Sequence, residues 1–190
     1  MNLEKYRNLH IPICREFDNS RFLEVMGRSY MIRQANKQDI PRIAEIIVFG
    51  KRVAYRPIFE NDYVSFNELQ VVHLYEEYKN NPDRLDGMLL YDDGIVKGVI
   101  SGQLIGDTII EITDFYVEPF FVGQGIGTLL IEYLIQQVRK KGVRKIVLWV
   151  IKDNMKARKF YEANGFVNSG KTCIIEGTIK EDCCYEYVLE

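Results

Sequence analysis

No run in this sequence approaches the roughly 18 consecutive apolar residues that a membrane-spanning helix needs. The N-terminus, broken by Glu4, Arg7 and His10, lacks the apolar core of a secretory signal. Net charge is scarce too: a formal charge of -2 and a pI near 5.8 leave no electrostatic footprint for nucleic acid or an anionic membrane. The densest basic cluster, Arg139-Lys140-Lys141 with Arg144-Lys145, reads as a helix terminus, where cations favour the dipole. Cys14, Cys173, Cys183 and Cys184 contain no Cys-x-x-Cys pair, which suits neither a zinc site nor a disulfide framework. They read as reduced apolar residues, no metal is expected, and the expected compartment is the cytoplasm. Internal repeats and low-complexity tracts are absent.

What is present is ordinary globular material, 47% hydrophobic and 27% charged, long enough for one domain with an appendage. Residues 1–30 are expected to be an N-terminal extension, apolar enough to dock, with a short helix capped at Asp18-Asn19-Ser20. Gly27-Arg28-Ser29 is compatible with a purine-rich, ribosome-binding-like coding run, so Met31 is expected as a natural start. Residues 31–190 form the main domain. A strand over Met31–Ala35 leads to a helix capped by Asn36, with Ile40, Ile43, Ile46 and Ile47 as its apolar stripe. After a proline-bearing segment, Tyr55 to Tyr63, a second helix is expected from Ser65 to Asn80. Asp92-Asp93-Gly94 marks a hairpin, and a strand from Thr108 to Val117 follows. Ile126, Leu129, Leu130, Tyr133, Leu134 and Val138 recur at helical spacing; a strand at Lys145–Ile151, a helix from Asn154 and two final strands complete the order.

Between the strand ending at Val117 and the helix after it lies Val122-Gly123-Gln124-Gly125-Ile126-Gly127-Thr128. The first amides of a helix have no intrahelical partner, the dipole adds roughly half a positive charge, and glycines admit a close phosphate. A P-loop is excluded because Gly127 is followed by Thr128-Leu129 rather than Lys-Ser or Lys-Thr. A dinucleotide fingerprint is excluded because Thr128 and Leu130 stand where its third glycine belongs.

The strand, this loop and the later Asn154-Met155-Lys156-Ala157-Arg158-Lys159-Phe160-Tyr161-Glu162-Ala163-Asn164-Gly165-Phe166 together resemble the GNAT superfamily of acyl-CoA-dependent N-acyltransferases. The resemblance runs from about residue 31 to 189. It implies an α/β (α+β) fold: a single GNAT-like domain with a mixed, mostly antiparallel sheet of about seven strands, splayed at the cofactor site and flanked by about four helices. It implies acetyl-CoA as cosubstrate, with the backbone of Gly123, Gln124, Gly125, Ile126, Gly127 and Thr128 around its pyrophosphate. Val122 departs from the pattern, which has Gln or Arg there.

By the same resemblance Phe115, Tyr116 and Val117 present the strand edge that pairs with the pantetheine arm, the Phe115 amide faces the thioester oxygen, and Asn154 contacts the cofactor. An amine nucleophile must lose a proton, and Glu111 stands where the family often places a carboxylate base. On a period of two, Glu111, Thr113, Phe115 and Val117 share a face and Asp114 points the other way. Tyr161 is the expected acid toward the leaving thiolate. Glu60, Asp62, Glu68 and His73 fall in the region that shapes the acceptor pocket. The acceptor is a small-molecule amine or a peptide or protein amine, and a homodimer through the last strands is compatible with the sequence. A non-catalytic acyl-CoA-binding sensor or interaction module of the same fold is the alternative, with Val122 as its support.

Overall fold

The structure, a computed structural model, describes residues 21–25 and 28–189. Its strands are β1 (Arg21–Val25), β2 (Arg28–Gln34), β3 (Leu89–Asp92), β4 (Val96–Ile105), β5 (Ile109–Val117), β6 (Lys145–Ile151), β7 (Val167–Ile174) and β8 (Glu181–Val188). The α-helices are α1 (Ile40–Phe59), α2 (Val71–Asn80), α3 (Ile126–Arg139) and α4 (Met155–Ala163). The strands make one mixed sheet in the order β1-β2-β3-β4-β5-β6-β8-β7. Every neighbouring pair is antiparallel except β5 and β6, which run parallel.

The expected architecture is present, with one strand more than seven because β1 belongs to the extension. The helix anticipated there gives way to a strand over 21–25, paired Phe22 to Met31 with β2; its capping residues 18–20 lie outside the described residues. The expected boundary at residue 30 falls inside β2.

Local chemistry explains where α1 begins and ends. Asn36 accepts from the Gln38 amide at 2.9 Å while Asp39 accepts from the Asn36 amide at 2.9 Å, a reciprocal cap on the 3-10 turn Lys37–Asp39 that leads directly into α1. Ile43, Ala44, Ile46 and Ile47 are wholly buried, each isoleucine contributing about 1.5–3 kcal/mol. The helix runs through Pro57 and stops at Glu60, whose left-handed backbone (φ 51) lets its amide reach Arg56 O. The proline-bearing segment is therefore largely helical, contrary to the expected connection.

The second helix is also divided. A π-helical turn covers Val64–Glu68, the chain extends at Gln70, and α2 starts at Val71. Arg52 accounts for the break: its guanidinium donates to Ser65 O (2.8 Å) and Leu69 O (2.6 Å), carbonyls that a continuous helix would have used itself.

The sheet separates two cores. On one face α3 and α4 pack on Leu89, Ile100, Ile110, Ile112, Ile146, Leu148, Tyr185 and their neighbours. On the other α1 and α2 pack on Leu90, Val96, Val99 and Tyr116. Gly50 lets α1 lie against β5: a Cβ there would stand 2.8 Å from Tyr116 Cδ1. Gly50→Ala is expected to lose about 1 kcal/mol net, overpacking outweighing the helix-propensity gain. Urea unfolding checks this as a lower midpoint with unchanged slope.

Candidate active site

The parallel pairing of β5 and β6 lasts four steps, from Ile109 opposite Lys145 to Ile112 opposite Leu148, and then ends. Both strands continue, β5 to Val117 and β6 to Ile151, so the sheet is split in its middle and the β5 edge beyond Ile112 has no partner on that side. The split begins at a bulge. Against β4, Ser101 faces Asp114 while Gly102 faces Ile112, leaving Thr113 as an extra residue.

That extra residue overturns the period-two assignment of faces. Ile110 and Ile112 before the bulge, and Phe115 and Val117 after it, all pack on the α3 and α4 side. Asp114, opposite Ser101, and Tyr116 lie instead on the α1 side. Glu111 lies there too, alternating with Ile110 and Ile112. Glu111 therefore shares a face with Asp114 rather than with Phe115. The Gln103 amide donates to Glu111 Oε2 (3.1 Å), and Ser101 donates to Asp114 Oδ2 (3.2 Å).

On the α3 side the glycine loop leaves its backbone open. Gly123 (φ 87) and Gly125 (φ 82) adopt left-handed backbone, and nothing lies within 4 Å of where a Cβ would stand. The Leu129 amide is the first of α3 to find a backbone acceptor, Gly125 O at 3.0 Å; among the described residues the amides from Gly123 to Thr128 find none. Gly127 allows contact with Phe160, whose ring would lie 3.2 Å from a Cβ. Val122 is half-exposed beside the loop, with no polar group to add. Amides, open space and an unpaired strand edge thus fit an extended ligand with a diphosphate end.

Tyr161, from α4, sits among Phe115, Phe160, Phe166 and Tyr185 with ring centroids 5.5–6.2 Å away. Burial, then the neighbouring Tyr55, pushes its phenol well above the ordinary range, and its hydroxyl has no hydrogen-bond partner among the described residues. Asn154 caps α4 by accepting from the Ala157 amide at 3.1 Å.

The α1 side carries a phenol cluster that sequence reasoning missed. Tyr55 and Tyr116 share a hydroxyl hydrogen bond of 2.9 Å. Burial raises both phenols, aided at Tyr116 by the Tyr55 hydroxyl and Asp114; burial and Asp114 likewise raise Tyr78. Burial raises Tyr55 and Tyr161 alike, with lesser contributions from Asp182 of β8 at Tyr55 and from Tyr55 at Tyr161. Only knowledge of the bulge and of β8 lying beside β6 could have brought them together. The other acceptor-region expectations do not converge here: Glu60, Glu68 and His73 are exposed, and Asp62 pairs with Arg56 at 2.6 Å on the surface.

A mixed sheet split at its parallel pair, with an amide cradle on one face and hydroxyl and carboxylate groups on the other, defines a class of acyl-transfer fold. A model of the acetyltransferase (GNAT) family matches residues 53–166, and the chain belongs to that family. It is 43% identical over 58 residues to an uncharacterized N-acetyltransferase of Methanocaldococcus jannaschii, a match spanning 30% of this chain and 26% of that relative. It is 24% identical over 143 residues to the spermidine N(1)-acetyltransferase of Thermoplasma acidophilum, covering 73% of this chain and 88% of the relative. The fold matches the crystal structure of the PaiA N-acetyltransferase of Thermoplasma acidophilum in complex with coenzyme A, with a TM-score of 0.66 and 23% identity over 85% of this chain and 99% of that one. Among the described residues no helix is long and apolar enough to cross a membrane.

The phenol cluster has a measurable consequence. Because the folded-state pKa values of Tyr55, Tyr78, Tyr116 and Tyr161 are raised, their stabilising contribution is complete below the unfolded value near 10 and is lost as pH rises above it. Stability should fall above pH 10 by about 1.4 kcal/mol per pH unit for each phenol still protonated. Tyr78→Phe should lessen that slope in denaturant titrations across the alkaline range.

Proposed function

We propose that this protein transfers an acetyl group from acetyl-CoA to an amine by direct attack in a ternary complex. The observation that carries the reading is the split sheet with free backbone on its edge and a free amide cradle beside it. The amides of Gly123 to Thr128 hold the pyrophosphate, with the Thr128 hydroxyl as a further donor. The edge of Phe115, Tyr116 and Val117 binds the pantetheine arm as an added strand, with Asn154, the cap of α4, as a further cofactor contact. When bound, acetyl-CoA supplies a thioester carbon open to nucleophiles.

The chain's residues then have separable tasks. The Phe115 amide stabilises negative charge developing on the thioester oxygen, a kind of contact that supplies about 3–4 kcal/mol. Glu111, with one oxygen held by Gln103, takes the proton of the amine directly or through water. Tyr161 keeps its own proton, given its raised pKa, and stabilises the departing sulfur by donating a hydrogen bond. Burial raises Cys173, Cys183 and Cys184, so no described thiol is poised as a nucleophile, which favours direct attack.

An amine acceptor accords with the relative named as a spermidine acetyltransferase. Release of free thiol from acetyl-CoA across spermidine, simple amines and peptide N-termini tests the reading. Coenzyme binding without release by any acceptor would favour a sensor module, the reading that exposed, apolar Val122 supports.

Tyr161→Phe is expected to lower kcat by about 10- to 100-fold with coenzyme A affinity unchanged, since the ring packing survives. Unchanged turnover would remove Tyr161 from the chemistry. Glu111→Gln should lower kcat by at least about tenfold with coenzyme A affinity unchanged, and unchanged turnover would count against Glu111 as the base. Val122→Gln should tighten coenzyme A binding about fivefold if its amide gains one hydrogen bond, measured by calorimetry.

A further inference from the structure

Asp182 is half-buried on β8, opposite Ile151 of β6 and Cys173 of β7, at the level where β6 has already left β5. Cys183 and Tyr185 belong to the core under α3 and α4, so alternation puts Asp182 on the α1 face, where its charge acts on the Tyr55 hydroxyl. The carboxylate makes no hydrogen bond or ion pair among the described residues. Nearby cations are committed elsewhere: Lys152 to Glu181 at 2.7 Å, Lys180 to Asp153 at 2.7 Å, and Arg158 to the Tyr185 hydroxyl at 3.1 Å. On α1, Lys51 lies 5.9 Å from the centre of the Tyr116 ring and is not paired with Asp182.

A half-buried carboxylate without a partner costs folding free energy, and burial raises its pKa. Such a group beside the split between β5 and β6 is a candidate for recognising a ligand's charge. The attacking amine must be neutral, and Glu111 and Asp114 already stand on the β5 side of the opening. A carboxylate on the far bank therefore matches a different positive charge. We infer that Asp182 holds a second ammonium group of the acceptor, so that the site selects diamines or polyamines over monoamines, an inference that rests on the amine-acetylation reading above.

The test is calorimetric titration of the coenzyme A complex with putrescine and with butylamine, which share a carbon chain and differ by one ammonium. The wild-type complex should bind putrescine about tenfold more tightly, the worth of one charge-assisted hydrogen bond. Asp182→Asn should erase that preference and leave butylamine binding unchanged. The amide removes an unpaired buried charge, so its melting temperature should equal or exceed the wild-type value, and Asp182→Ala serves as a second variant. Equal affinity for the two amines in the wild type, or a preference that survives both substitutions, overturns the inference. Thiol release separates the two readings: release with monoamines and no diamine preference sinks this inference alone. A diamine preference in binding with no release by any amine would uphold Asp182 and sink the acetyltransferase reading.

Discussion

The site depends on the place where a parallel strand pair is made to stop. β5 and β6 lose their ladder after Ile112 and Leu148, although both have several residues left to pair. Unpaired backbone in the middle of a sheet is costly unless something satisfies it. The cause lies on the other side of β5, where Thr113 is one residue too many for β4 and bends the strand away. Pairing of β6 with β8 continues unbroken to Ile151 opposite Asp182, so β8 holds the far bank in place. The opening is therefore built into the register of the strands on either side of it.

The same bulge divides the labour between the two faces. Without it, every second residue of β5 would stay on one side and Phe115 would join Glu111. With it, the aromatic and aliphatic residues beyond the split face the cradle and Tyr161, while Asp114 and Tyr116 face α1. On the reading proposed above, a cofactor at the N-terminus of α3 and an acceptor under α1 would meet through the gap.

Much of this was legible in the sequence because it is local. The glycine spacing at 123–127, the apolar stripe of α3 and the Asn154 cap each depend on residues within a few positions of one another. The face of Glu111, by contrast, depends on a mismatch between β4 and β5 that no window on β5 alone reveals. Tyr55 was hidden because Pro57 suggested a loop, yet the last turn of α1 tolerates it and carries Tyr55 over the split. Asp182 was hidden because its value comes from β8 lying inside β7 in the sheet order, a non-local fact.

One ion pair joins the two halves of this arrangement. Arg42 on α1 donates to Val96 O at 2.9 Å and places Nη2 3.0 Å from Glu118 Oε2, a charge contact rather than an aligned hydrogen bond. Glu118 is buried, its amide bonds Lys97 O at 2.8 Å, and it stands immediately before the turn that leads into the glycine loop. Breaking a buried pair by removing one partner typically costs about 3–5 kcal/mol, because the other charge is left in a poor dielectric. α1 is thus tied to the start of the glycine loop. Val122 occupies the middle of that tether, where it contributes no hydrogen bond of its own. The loop's geometry is set by the buried carboxylate on one side and by the Gly127 contact with Phe160 on the other. That is the physical reason a backbone cradle can keep its shape here although Val122 adds no polar side chain.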